Sequence, residues 1–133
     1  MSILDGVPGG SPALARAQEI QGRAGRVGFE FPSATDAWSK VEEESRELHA
    51  LVERGAGPDD LEDEVGDLLF SVVNYARLLG IETEAALARC CGKFERRFRY
   101  IEGKLAERGR GPAESTLEEM DGLWNEAKRA ERT

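Results

Sequence analysis

Residues 61–81 read LEDEVGDLLFSVVNYARLLGI. Apolar side chains recur at Leu61, Val65, Leu68, Leu69, Val72, Val73, Ala76 and Leu79, at spacings of three and four, and the period-two alternation of a strand is absent. The spacing predicts a helix over about 58–79. Pro58 suits its first position, Asp59 and Asp60 complement the positive end of its dipole, and Gly80 suits the stop. Phe70 widens the apolar surface beyond one face. A helix of that kind is covered on several sides, which in so short a chain points to a partner subunit. One polar ladder interrupts the apolar girth: Glu64, Asp67, Ser71 and Asn74.

Working outward, the same periodicity gives helices on both sides. A first helix is expected from about Pro12 to Val27, followed by the connector GFEFPS. Ser33 and Asp36 have the spacing of a capping box and open a second helix, which carries Trp38, Val41, Leu48, Leu51 and Val52 and stops near Gly55. The GAG turn at 55–57 is short enough to make the second and third helices antiparallel neighbours. Thr83 is the expected cap of a fourth helix, with the basic run KFERRFRYIEGK at 93–104. Ser115 or Thr116 opens a short last helix through Trp124. The fold class is therefore all-α, a bundle of four or five helices.

Bulk properties narrow the function. The chain has 133 residues, 40% hydrophobic, which fits one domain with a real core. A formal net charge of −8 argues against nucleic-acid binding, which rests on a basic surface. No apolar run approaches the roughly 18 residues of a membrane span. The segment MSILDGVPGGSPAL has neither the positive region nor the apolar core of a signal peptide, so a cytoplasmic location is expected. Cys90 and Cys91 are adjacent on a helix and diverge, so packing thiols are expected rather than a disulfide.

The chemistry sits in the acids. Residues 40–48 read KVEEESREL, placing Glu44 and Glu47 on one helix face; Glu64 and Asp67 repeat that spacing on the next helix. If the two faces meet, four carboxylates converge. Two unit charges about 4 Å apart repel by roughly 4 kcal/mol at an effective dielectric near 20, so such a cluster stays ionised only with help. Oxygen-only ligands favour magnesium, manganese or calcium over zinc. The alternative is a solvated face of an acidic protein, which is harder to hold for Glu64 and Asp67 among Leu61, Val65, Leu68 and Leu69. A di-iron bundle would require two ExxH motifs, but the chain has one histidine, His49, preceded at −3 by Arg46.

KVEEESREL, LEDEVGDLLFSVVNYARLLGI and KFERRFRYIE, flanked by GRVGFEFPS and LEEMDGLWNEAKR, together resemble the MazG family of nucleoside triphosphate pyrophosphohydrolases. The likeness runs from about residue 13 to 129 and is closest to the carboxy-terminal half of two-domain members. It implies a flexible segment at 1–12, a catalytic domain at 13–129 and a tail at 130–133. It also implies an all-α homodimer of four-helix-bundle form, with a tetramer as the alternative. The implied activity is magnesium-dependent cleavage of a nucleoside triphosphate to monophosphate and pyrophosphate, manganese being the second candidate ion. By resemblance Glu44, Glu47, Glu64 and Asp67 are the metal ligands, and Glu43 orients or deprotonates water. Lys93, Arg96 and Arg97 map onto the phosphate-binding helix, although Arg96 and Arg97 diverge by about 100° and only one of them can face a given site. Asn74 fits the pattern as a substrate contact. Trp38 and Phe31 have two readings, base contact or core. One departure is Glu30-Phe31 in place of the usual acid-plus-Trp. The alternatives are a related hydrolase of dUTP or phosphoribosyl-ATP, and a non-catalytic acidic helical dimer that docks a partner.

Overall fold

The structure, a computed structural model, describes residues 1–132. It is all-α, with no strand among the described residues: α1 Ala13–Arg26, α2 Ala34–Glu53, α3 Pro58–Leu78, α4 Thr83–Glu107 and α5 Leu117–Glu131, with a single 3-10 turn at Pro112–Glu114. The expected helices are therefore present, and most boundaries fall where their chemistry puts them. Ser33 caps α2, its hydroxyl oxygen accepting from the Asp36 amide. Gly57 precedes α3 with Pro58 at the first turn, and Gly80 ends it at φ +77, where a side chain would be strained.

Three local expectations are corrected. Thr83 does not cap α4 but is its first residue; its amide and hydroxyl both donate to the side-chain carbonyl of Gln18 on α1, a cap supplied from elsewhere in the fold. The last helix does not end near Trp124: Thr116 caps it through the Glu119 amide, and it continues through Glu131. Cys90 and Cys91 are exposed rather than packed.

Two compact units divide the chain, Met1–Ala86 and a second beginning at Leu87. In the first, α3 packs along α2 and more lightly on α1. Ala37 and Val41 of α2 and Val73 of α3 are buried there, together with three polar residues, Gln21, Glu44 and Ser71. Val65, Leu69, Phe70, Val72 and Leu79 of α3 remain exposed, so the broad apolar girth of that helix is only partly covered within the chain. In the second unit Ile101, Leu105 and Leu123 form the core, flanked by Phe98, Met120 and Trp124.

Candidate metal centre

The α2–α3 hairpin brings Glu44, Glu47 and Glu64 together, each offering a carboxylate oxygen such that all three lie within 4.8 Å of one another. Glu44 is 5% exposed, whereas Glu47 is at the surface. Lys40, one turn before, places its Nζ 2.9 Å from Glu44 Oε1 and 3.2 Å from Glu43 Oε2. The lysine thus answers one oxygen of Glu44. The other, Oε2, is buried without a hydrogen-bond partner, and so is Oε1 of Glu64.

With all three carboxylates ionised these two buried acceptors are unmatched, and each then carries a desolvation cost of about 1–3 kcal/mol. The titration follows from the same crowding. Contact with the Glu44 carboxylate, then burial, pushes the Glu64 carboxyl up to about 7. Glu44 is held below its usual range by its hydrogen bonding with Glu64 and with Lys40. Lys40 is correspondingly raised by Glu44 and Glu43. Without a cation the cluster therefore favours one proton on Glu64. An oxygen-ligated divalent ion removes both the repulsion and the unmatched acceptors, so the donor set fits magnesium or manganese.

Asp67 stands outside this triad and is exposed. It lines instead a cavity of about 820 Å³ together with Lys40, Glu44, Ser71 and Asn74. The rest of that cavity is mostly apolar: Leu4, Ile20, Ala24, Phe29, Phe31, Pro32 and Phe70, with Gln21, Gly28 and Glu30 completing the wall. Phe31 thus faces the cavity. Trp38 does not line it; half-exposed at 46%, it makes a tilted ring contact with Tyr75, centroids 5.2 Å apart. Asn74 is held by Arg77, whose Nε and Nη2 donate to Asn74 Oδ1 at 3.3 and 3.0 Å. Arg77 Nη2 is in turn 2.7 Å from Glu30 Oε1.

The basic residues belong to the second unit. Lys93 and Arg96 are exposed. Arg97 is occupied: its guanidinium bonds Glu131 at 2.9 Å and lies over the Trp124 ring, 5.2 Å from the centroid. The divergence of adjacent helical side chains thus assigns Arg97 to the packing of α4 on α5. Two residues of the site were not singled out from the sequence. Lys40 had a usable signal, its i, i+4 spacing to Glu44. Gln21 had none, because only the tertiary fold buries it.

The all-α hairpin thus sets three converging carboxylates beside a mostly apolar cavity. Residues 34–101 match the model of the MazG nucleotide pyrophosphohydrolase domain, and the chain belongs to that family. A nucleoside triphosphate pyrophosphohydrolase of Escherichia coli is 43% identical over 98% of the chain and 50% of the relative's length. A nucleoside triphosphate pyrophosphohydrolase/pyrophosphatase MazG of Thermotoga maritima is 38% identical over 92% of the chain and 46% of its own. An uncharacterised protein, YabN, of Bacillus subtilis is 46% identical over 98% and 27%. The chain spans about half the length, or less, of these curated relatives.

Proposed function

We propose that this chain hydrolyses nucleoside triphosphates to the monophosphate and pyrophosphate, using magnesium, with manganese as an alternative ion. The observation that carries the reading is the pair of buried oxygens on Glu44 and Glu64, unmatched while both acids are ionised and grouped with Glu47, with Glu44 also lining a cavity of about 820 Å³. A docking surface has no need of such atoms, which disfavours a merely partner-binding acidic helical protein. The names of the relatives from E. coli and T. maritima point the same way.

Glu44, Glu47 and Glu64 would hold the ion, with Asp67 presenting its carboxylate from the cavity wall. When bound, such an ion neutralises triphosphate oxygens and acidifies a coordinated water. The protein's own groups supply the rest. Lys40 fixes the Glu44 carboxylate and adds positive charge beside Glu43. Glu43, exposed and steered by that lysine, orients the attacking water and receives its proton. The water oxygen attacks the α-phosphorus in line, the bond to the bridging oxygen breaks, and pyrophosphate leaves. Lys93 and Arg96 are the proposed phosphate contacts on α4, and Asn74 the proposed contact within the cavity.

The exposed apolar residues of α3 support a homodimer, in which a second copy covers Val65, Leu69 and Val72. No described helix is long and apolar enough to cross a membrane. We place the protein in the cytoplasm, where its substrates are made. The decisive experiment is a product analysis across NTPs, dNTPs, dUTP and phosphoribosyl-ATP with magnesium. Monophosphate plus pyrophosphate is the expected outcome; orthophosphate release, or no turnover of any member, would overturn the reading.

A further inference from the structure

Ahead of α1, residues 2–7 form a tied turn. The Asp5 amide donates to the Ser2 carbonyl at 3.0 Å, the Ser2 amide to Asp5 Oδ2 at 2.8 Å and the Leu4 amide to Ser2 Oγ at 3.0 Å. Gly6, at φ +86, turns the chain back. Arg23 of α1 fastens this turn: its Nη1 donates to the Ile3 carbonyl at 3.1 Å and to the Asp5 carbonyl at 2.6 Å. Glu19 steadies the same guanidinium, its Oε1 accepting from Nε at 2.9 Å.

The two carbonyls that Arg23 grips flank Leu4. A charged donor bound on either side of one residue fixes where that side chain sits. Leu4 lines the cavity of about 820 Å³ beside Ile20 and Ala24 of α1, and at 43% exposed it has apolar surface to offer a ligand. The triphosphate of a nucleotide belongs with charged groups; the base is the part with apolar faces. A wall that is mostly apolar, with few polar groups, suits such a ring. We propose that Leu4 is a substrate contact that packs on the nucleobase, and that Arg23 is the positioning residue that holds it there. This rests on the reading of the chain as a nucleoside triphosphate hydrolase. It adds a part of the substrate site supplied from outside the α2–α3 hairpin, and from outside residues 34–101 that match the family model.

The test is equilibrium binding with magnesium. The probes are the α,β-imido forms of ATP, GTP, CTP and UTP, and inorganic tripolyphosphate, which carries the phosphates and no base. Leu4→Ala is expected to weaken the best-bound nucleotide about 5-fold or more, part of what a fully buried leucine contributes, and to leave tripolyphosphate within about 2-fold. In turnover, kcat/KM for the parent nucleotide should fall by a similar factor, chiefly through KM, as for a contact made equally before and in the transition state. Arg23→Gln should repeat the selective loss. The double variant should lose little more than either single one, because both remove the same contact. An equal loss of tripolyphosphate, no loss in Leu4→Ala, or fully additive losses in the double variant would overturn the inference. Nucleotide binding without turnover would overturn the hydrolase reading alone, and the affinities would then decide the Leu4 contact; absence of binding by every nucleotide would overturn both.

Discussion

Lys40 Nζ lies 2.9 Å from Oε1 of Glu44, while the second oxygen of the same carboxylate is buried and, with the neighbouring acids ionised, has no donor. One half of Glu44 is therefore satisfied by the protein and the other half is not. The asymmetry orients the carboxylate, and it makes the deepest of the three acids the one whose replacement is most informative.

Replacing single acids should separate the triad from its neighbour. Glu64→Gln and Glu47→Gln are expected to reduce turnover to below about 1% of wild type, since charge-stabilising contacts at a reacting phosphate are commonly worth factors of a hundred or more. Asp67→Asn, outside the triad, should act chiefly through a higher metal requirement. Steady-state rates at rising magnesium, with circular dichroism as a check on helicity, measure this. Wild-type rates in Glu64→Gln would remove that residue from the centre.

Magnesium should raise the melting temperature, because a ligand held only by the folded state stabilises it. The size of the rise should depend on pH in a definite direction. The Glu64 carboxyl is raised from the usual 4.5 to about 7 in the folded, metal-free protein. A raised group contributes stability that is full below 4.5 and is lost as pH climbs through 7. A metal needs the ionised form, so the shift produced by millimolar magnesium should be larger at pH 8 than at pH 6. Thermal scans at the two pH values, with Glu64→Gln as the control in which the difference shrinks, check it.

Arg96 and Arg97 should divide cleanly between function and packing. Arg97, 13% exposed, bonds Glu131 and covers Trp124, so Arg97→Ala should destabilise the fold by about 1–3 kcal/mol. Arg96→Ala, at an exposed position, should leave stability within about 0.5 kcal/mol and raise KM for the triphosphate. Urea unfolding alongside kinetics resolves the two. The opposite pattern would reverse the assignment.

Acid should weaken the second unit through Glu119. Arg110, then Ser115 and Arg108, hold its carboxyl down at about 2. A depressed group contributes stability that is complete above the ordinary 4.5 and is lost as pH falls toward 2. Glu119→Gln should therefore flatten the stability profile between those values, as read by denaturant midpoints at stepped pH.

Much of this was legible in the chain because local rules and global packing agree. Ser33, Pro58 and Gly80 mark their helix boundaries by backbone chemistry alone, and the apolar spacing of α3 fixes its class. The acidic pairs were legible as pairs. What spacing could not supply was their exact rotation: Glu64 joins Glu44 and Glu47, while Asp67, three residues on, turns toward the cavity. The remaining misses are tertiary in origin. Nothing around Thr83 announces that its cap arrives from Gln18, sixty-five residues earlier. Nothing around Gln21 announces an oxygen sealed from water. Cys90 and Cys91 looked like packing residues from composition, yet within the chain nothing covers them.

Gly25 illustrates how the proposed substrate pocket can be tuned from its outer side. A methyl group there would come within 2.9 Å of Glu30 Oε1, the atom that grips Arg77. The bare backbone at this spot is a parking place for a carboxylate whose hold passes through a guanidinium to the Asn74 amide. Enlarging residue 25 would therefore displace Glu30, itself part of the cavity wall, and through Arg77 shift the Asn74 amide inside it. A protein engineer seeking a different substrate preference could begin at that glycine, without disturbing a single acid of the centre.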